Sequence, residues 1–202
     1  MNDLVSLSGF VIKIATQDYH PAGHISFASN HSSPDDKPFE SSFDMRNWVA
    51  GREGETVRQR LWPVHCVQGT KGAEFVDEFD DEKVDVVVRK GMDERAEMYS
   101  VFADAFGNFN CVGTGVSHDC VELLKAKDVS HVFVVGLAGD YCVKHTALDA
   151  AKAGFEVCVV EEATRCVDSG EEWVQAVKDF DGAGVQVVSF GGAEVERVKL
   201  MC

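Results

Sequence analysis

Residues 131–154 of the sequence are HVFVVGLAGDYCVKHTALDAAKAG. The first six residues form a short apolar run rich in β-branched side chains, which is typical of a parallel strand buried on both faces. The part that follows Cys142 has a helical pattern and stops at Gly154, a residue type that commonly ends helices. The stretch therefore predicts a strand, a tight turn and a helix in direct succession.

The same alternation of strand and helix recurs along the chain. The predicted strands cover residues 11–15, 84–88, 131–136, 156–160 and 185–190, and the predicted helices cover 71–79, 117–125, 142–153 and 171–180. Residues 26–60 are polar and predict an irregular excursion. The pattern indicates the α/β class, with a three-layer, doubly wound, mostly parallel sheet in one domain that covers residues 1–202.

The composition limits the classes of binding partner and the cellular compartment that we expect for this protein. The formal net charge of −15 argues against nucleic acid and anionic membranes, because both need basic patches. We therefore expect a small-molecule substrate, and a homo-oligomer is compatible with the sequence. No leader or apolar span is evident, and the seven cysteines have no framework spacing. These features favour reduced thiols and a cytoplasmic location, with the nucleus and the peroxisome left open.

Ligands of open α/β sheets bind beyond the carboxyl ends of the strands, so the residues that follow each strand are the candidates. Asp18 and His20 follow the first strand with one residue between them, and in an extended segment they point the same way. His65, in the segment Leu61–Cys66, could complete an Asp/His/His set for zinc with positions left for water. The alternatives are a surface turn at Asp18 and His20, a hydrogen-bonded His65 outside any site, and a core Trp62.

Two further candidates follow the next strands. Lys90 could stabilise an anion or a thiolate, although a lysine in this position is more often a solvated surface charge. Cys142 lies near the predicted start of a helix, where the helix dipole and free N–H groups lower a thiol pKa and can hold an oxyanion. A buried, inert cysteine is the alternative.

Four blocks of sequence together resemble the nicotinamidases of the isochorismatase-like hydrolase superfamily. They are TQDYHPAGHISFASNH from residue 16, LWPVHC from residue 61, Lys90-Gly91 with Tyr99 nine residues later, and GLAGDYCVKHTA from residue 136. The blocks occur in the family's order and cover about residues 11 to 190.

This resemblance implies a site. Asp18, His20 and His65 would ligate Zn²⁺, and Cys142 would be the nucleophile that attacks nicotinamide, with Lys90 as a member of its catalytic triad. The ring pocket would be lined by Trp62, Tyr99 and Tyr141. The N–H groups of Ala138 and Cys142 would form the oxyanion hole, next to a non-prolyl cis bond between Leu137 and Ala138.

One part of the family pattern is absent from these 202 residues. The family's enzymes have a strand that ends in an aspartate, the general base for the thiol, ahead of the Asp-x-His strand. Only ten residues precede Val11 here and none forms that motif, so we expect these 202 residues to lack the family's first strand. We therefore expect the 202-residue chain to hydrolyse nicotinamide poorly. The alternatives to an active nicotinamidase are a truncated paralogue that keeps the metal site and a related metal-free cysteine amidase.

Overall fold

The computed structural model of the protein describes residues 1–109 and 111–201, so that Cys202 lies outside the described residues. The chain divides into two compact units. Unit 1 comprises Met1–Ala15, Asp77–Val87 and Cys120–Cys202, and unit 2 comprises Thr16–Val76 and Val88–Asp119. Within the described residues, no helix is long and apolar enough to cross a membrane.

The chain contains seven strands and five α-helices within the described residues. The strands are β1 (Ile14–Asp18), β2 (Ser42–Arg46), β3 (Thr56–Arg60), β4 (Val86–Lys90), β5 (His131–Leu137), β6 (Glu156–Arg165) and β7 (Gln186–Val188). The helices are α1 (Asn2–Val5), α2 (Cys120–Lys125), α3 (Lys144–Lys152), α4 (Glu171–Gly182) and α5 (Ala193–Lys199).

Strands β5, β6 and β7 form a parallel sheet in that order, and β1 pairs with β4. The register between β5 and β6 shifts once: Val134 pairs with Val159, but Gly136 pairs with Thr164. Because two residues of β5 match five of β6, strand β6 carries three extra residues in a bulge. The Thr164 hydroxyl closes the bulge with a 2.9 Å hydrogen bond to the Val160 carbonyl.

The core of unit 1 lies where the three-stranded sheet meets two terminal helices. Apolar side chains of these elements form one cluster because each element buries its apolar face there. The buried members of the cluster are Leu4, Cys158, Val160, Val188 and Val195. Helix α3 ends at Lys152 and is followed, after Ala153, by Gly154, whose φ of 95° is the left-handed conformation that commonly terminates a helix.

The alternation of strands and helices is confirmed, but several predicted bounds are wrong. The predicted helix 71–79 is only a single 3₁₀ turn, Lys71–Ala73. The predicted strand 11–15 begins three residues later, at Ile14, and strand 156–160 continues to Arg165. The excursion 26–60 is partly regular, because β2 and β3 form an antiparallel hairpin in which Met45 pairs with Val57.

Candidate active site

The three predicted metal ligands meet in unit 2. The ligand atoms of Asp18, His20 and His65 all lie within 4.8 Å of one another. The His20 side chain is 1% exposed, so these residues do not form a surface turn. The ring centroids of His20 and His65 are 4.9 Å apart, in an edge-to-face arrangement. One carboxylate and two imidazoles at these distances are a set that suits a divalent ion.

Hydrogen bonds fix which ring nitrogen each histidine can offer to a metal. The Nδ1 atom of His20 lies 2.8 Å from the Gly91 carbonyl oxygen, and the Nδ1 atom of His65 lies 2.8 Å from that of Pro63. A carbonyl oxygen only accepts, so each Nδ1 carries the proton and each Nε2 keeps its lone pair. Metal-ligating histidines typically make this bond with their other nitrogen. The residues present therefore fit a zinc ion, with Nε2 as the donor of both imidazoles.

Lys90, the last residue of β4, is buried beside this set. Its side chain is 3% exposed, so Lys90 is not a solvated surface charge. Its Nζ donates to the Asp18 carboxylate and, at 3.1 Å, to the Met98 carbonyl. Burial opposes ionisation of Asp18, but the positive charge of Lys90 and its hydrogen bond to the carboxylate help to outweigh it, and the pKa of that carboxyl lies below its usual value. The Asp18 side chain is therefore anionic near neutral pH, as a candidate metal ligand needs to be.

A second group of potential ligands shares His20 and adds the buried residues His24 and Glu97. His24 is already engaged: its Nδ1 lies 2.8 Å from the Ser26 hydroxyl and its Nε2 lies 3.2 Å from the Ala96 carbonyl. Burial disfavours the imidazolium and lowers the pKa of His24 to about 4. His24 is therefore a neutral, hydrogen-bonded residue that packs against His20 of the Asp18, His20 and His65 set.

The predicted aromatic residues of unit 2 contact each other. The Trp62 Nε1 donates to the Tyr99 hydroxyl at 2.9 Å, and their ring centroids lie 6.5 Å apart at 90°. Gln59 Nε2 donates to the same hydroxyl at 2.6 Å. Trp62 is 7% exposed, so it is buried while its ring faces Tyr99 and Phe39.

The predicted nucleophile lies in unit 1, in the turn between β5 and α3. Cys142 belongs to the π-helical turn Gly139–Val143, which leads directly into α3. It is half-buried, so a fully buried and inert thiol is excluded. The amide N–H groups of Tyr141 and Val143 both donate to the Ala138 carbonyl at 3.0 Å, and the Leu137–Ala138 peptide is cis, as expected.

The loop that follows β6 holds the turn Gly139–Val143 in place through hydrogen bonds and close packing. The buried Asp140 carboxylate accepts the amide hydrogens of Val167 at 3.0 Å and Asp168 at 2.7 Å. A Cβ on Gly139 would lie 2.6 Å from the Cys166 sulfur and 2.8 Å from a Thr164 methyl carbon, so only glycine fits there. Asp140 and Gly139 therefore hold the turn that carries Cys142 against the end of β6.

Four other cysteines are poor thiolates. Burial raises the pKa of Cys66, Cys158 and Cys166, and it raises that of Cys111 to about 11. Lys90 lowers the pKa of Cys66, but burial and the negative charge of Asp18 outweigh it. None of these four thiols is activated.

Sequence reasoning did not single out three of the residues that shape these sites. Gly91 was noted only as part of a block, although its φ of 63° and its contact with His20 make it specific. The burial of Gln59 was not predictable, because a polar residue in a polar stretch is expected at the surface. Asp140 gave one signal, which is an acidic side chain two residues before the candidate nucleophile.

Comparison with known proteins places these features in a family. The Isochorismatase domain model matches residues 14–190. A nicotinamidase of Schizosaccharomyces pombe is 36% identical over 176 residues, which are 87% of this chain and 73% of that protein. The yeast nicotinamidase bound to the inhibitor nicotinaldehyde has a TM-score of 0.78 at 30% identity, covering 89% of this chain and 80% of that one. A Pyrococcus horikoshii pyrazinamidase in complex with zinc has a TM-score of 0.60 at 30% identity, covering 89% and 75%.

These matches extend over both units and over every candidate residue. The fold is the isochorismatase-like α/β fold, in agreement with the strand order and the parallel register of β5, β6 and β7. The chain belongs to the isochorismatase family of hydrolases, and nicotinamidases are among the relatives to which it is similar.

Proposed function

We propose that the chain is a zinc-dependent nicotinamidase, which hydrolyses nicotinamide to nicotinate and ammonia through a cysteine thioester. The observation that carries the proposal is the convergence of the Asp18, His20 and His65 ligand atoms within 4.8 Å, in a chain 36% identical to a nicotinamidase. A carboxylate and two imidazoles leave positions open for water or substrate, as catalytic zinc sites do. The zinc in the related pyrazinamidase structure supports the same metal.

In this proposal the residues of unit 2 hold the metal and the ring. Zinc, when bound, supplies a positive charge that attracts the pyridine nitrogen and withdraws electrons from the ring. Trp62 and Tyr99 form one wall of the ring pocket, to which the resemblance adds Tyr141. Lys90 keeps the Asp18 carboxylate anionic and is the cationic member of the catalytic set.

The residues of the turn carry out the acyl transfer. The Cys142 sulfur forms a bond to the carboxamide carbon, and the N–H groups of Ala138 and Cys142 stabilise the resulting oxyanion. The carbon–nitrogen bond then breaks, and the nitrogen leaves as ammonia with the proton that the thiol gave up. Water cleaves the thioester, which releases nicotinate and restores the thiol.

The metabolic role and the compartment of this activity are part of the proposal. Nicotinate is a precursor in NAD salvage, so we propose that role for the product. Seven cysteines without a framework spacing favour a reducing compartment, and we propose the cytosol.

Purified 202-residue chain should be tested for zinc content, nicotinate binding and ammonia release from nicotinamide. Cys142→Ala should keep the zinc and lose turnover, whereas Asp18→Asn should lose both. Binding is measured separately because the family's aspartate-ending strand is absent from these residues. Zinc and nicotinate binding without turnover would favour an impaired paralogue, and a metal-free chain active on another amide would favour a related cysteine amidase. A chain that binds neither zinc nor nicotinate would overturn the proposal.

A further inference from the structure

Phe39, in the loop before β2, has a backbone conformation that phenylalanine rarely adopts. Its φ is 67°, in the left-handed region that favours glycine, and a bulky side chain there is strained. Its side chain is also 50% exposed, so burial of apolar surface offsets only part of that strain. A glycine would adopt the same φ without strain. The presence of a phenyl ring therefore has to be explained by what the ring contacts.

Hydrogen bonds on both sides of Phe39 hold it in this conformation. The Phe39 amide donates to the Leu61 carbonyl oxygen at 2.7 Å, and the Leu61 amide donates to the Ser41 carbonyl oxygen at 2.9 Å. If the β2–β3 ladder continued regularly, Ser41 would make both bonds with Leu61. The Ser41 amide instead donates to the Lys37 carbonyl oxygen at 2.9 Å, which closes a turn with Phe39 at its centre. The backbone thus fixes where the phenyl ring leaves the chain.

The phenyl ring of Phe39 contacts the indole of Trp62. The two ring centroids lie 5.7 Å apart and the ring planes are at 82°, which is an edge-to-face contact. Trp62 is 7% exposed whereas Phe39 is half-exposed, so Phe39 lies on the solvent side of this pair. The indole Nε1 also donates to the Tyr99 hydroxyl at 2.9 Å. The indole is therefore held at two points, by the ring of Phe39 and by the hydrogen bond to Tyr99.

From this geometry we infer that Phe39 is a positioning residue of the ring pocket. Its ring covers the indole of Trp62, fixes the orientation in which Trp62 contacts Tyr99, and keeps water from the wall that these two residues form. The inference rests on the proposed function, because it takes Trp62 and Tyr99 as the wall that contacts the ligand. A rigid, dry aromatic wall favours a flat aromatic ring, and Phe39 acts on that ring through Trp62.

Three variants test this role. Phe39→Gly removes the ring and relieves the positive φ, Phe39→Tyr keeps an aromatic ring, and Asp128→Gly is the matched control. Asp128 also has a positive φ, of 53°, but it is exposed and lies in the segment after α2. An aromatic contact corresponds to a factor of about 2 to 10 in an equilibrium constant. We expect Phe39→Gly to raise the KM for nicotinamide and the Kd for nicotinate by about that factor, with little change in kcat. Phe39→Tyr and Asp128→Gly should keep the wild-type values.

Urea denaturation distinguishes a ring that serves binding from a ring that serves folding. The midpoint of Phe39→Gly should not fall below that of the wild type, because relief of the positive φ offsets the loss of a half-exposed ring. Asp128→Gly measures what relief of a positive φ contributes without the loss of a ring. Wild-type KM and Kd in Phe39→Gly would overturn the inference. A lower midpoint together with weaker binding would also overturn it, because the ring would then stabilise the fold and not the pocket alone.

A measurement without ligand distinguishes failure of this inference from failure of the proposed function. The NMR resonance of the Trp62 indole proton should shift in Phe39→Gly, stay close to its wild-type position in Phe39→Tyr and be unchanged in Asp128→Gly. If the wild-type chain binds neither nicotinamide nor nicotinate, the proposed function fails, and with it the ligand that Trp62 would contact. The indole resonance then decides the positioning role: a shift in Phe39→Gly that Phe39→Tyr reverses supports it, and an unchanged resonance in Phe39→Gly refutes it.

Discussion

The carbonyl oxygen of Gly91 accepts a 2.8 Å hydrogen bond from Nδ1 of His20, while the Gly91 Cα packs directly against the same imidazole ring. A Cβ at position 91 would lie 2.4 Å from the His20 Cε1 and 2.6 Å from its Nδ1. One glycine thus sets both the tautomer and the place of a candidate metal ligand. Its φ of 63° adds a second reason for glycine at this position.

Gly91→Ala should lower zinc affinity by about 10- to 100-fold, as losses around metal-ligating histidines commonly do. Zinc competition against a chromophoric chelator measures the change. Gly69→Ala is the matched control, because Gly69 has a φ of 73° but nothing within 4 Å of its added Cβ. Equal zinc affinity of Gly91→Ala and the wild type would show that His20 does not depend on this contact.

His65→Ala should reduce the zinc content sharply, because it removes one of the three proposed ligands. Metal analysis after refolding with zinc measures the stoichiometry. His118→Ala is the control, since His118 is exposed and its Nδ1 bonds only to the neighbouring Ser117 hydroxyl at 2.8 Å. Wild-type protein that takes up no zinc under these conditions would contradict the ligand assignment.

Cys142 should be the most reactive of the seven thiols toward nicotinaldehyde-type electrophiles and iodoacetamide. It precedes a helix and is half-buried, whereas burial raises the pKa of Cys66, Cys111, Cys158 and Cys166. Mass spectrometry after brief labelling near neutral pH identifies the site. Faster labelling of Cys66, Cys111 or Cys166 would refute the assignment.

Asp140→Asn should destabilise the protein by about 1 to 3 kcal/mol, because an amide nitrogen would replace one of two buried acceptor oxygens and face a backbone N–H. Urea denaturation measures the free energy of unfolding. Asp168→Asn is the control, because Asp168 is exposed and accepts only the Gly170 amide, at 2.7 Å. If both variants unfold at the wild-type midpoint, Asp140 does not anchor the turn.

The free energy of unfolding should fall in mild acid because of His24. Its folded pKa of about 4 lies below its unfolded value near 6.5, so the unfolded chain binds a proton that the folded chain refuses. The full contribution to stability is therefore present above pH 6.5 and is lost as the pH falls toward 4. Between pH 7 and pH 5 we expect a loss of about 2 kcal/mol from this residue.

Urea denaturation of the wild type and of His24→Gln at both pH values tests this expectation. The glutamine variant, which has no group that titrates in this range, should show a smaller drop between the two values. An identical drop in both proteins would assign the acid sensitivity to other groups. His118→Gln, at an exposed position, should behave as the wild type does.

The strand, turn and helix around Cys142 were predictable because local signals agree there. An apolar run, a glycine pair and a helical pattern that ends at Gly154 all point to one structure. Alternation and strand-end position suggested Asp18 and His20 as a pair, and the resemblance to the family implied the full set with His65.

Other features needed the tertiary structure. Residues 71–79 contain Phe75 and Phe79 at the i, i+4 spacing of a helix, but Val76 between them is 68% exposed and only one 3₁₀ turn forms. The hairpin of β2 and β3 was obscured by its charged outer residues, although Phe43 and Met45 alternate with them. The burial of Gln59 depends on the Tyr99 hydroxyl, which is forty residues away, and no local pattern reports that pairing.

The bulge in β6 divides the strand into one part that pairs within the sheet and another that contacts the turn carrying Cys142. The residues before it, up to Val160, pair with β5 and β7, whereas Thr164 and Cys166 after it lie against Gly139. The three extra residues act as a spacer of fixed length between the paired part of β6 and the residues that contact Gly139. Glu162 within the spacer also accepts hydrogen bonds from the Ser189 hydroxyl at 2.5 Å and the Phe190 amide at 2.8 Å, so the spacer is tied to the segment that follows β7. Removing a single residue would turn every later side chain of β6 to the opposite face and deprive the turn of its support, even with the whole sheet still paired.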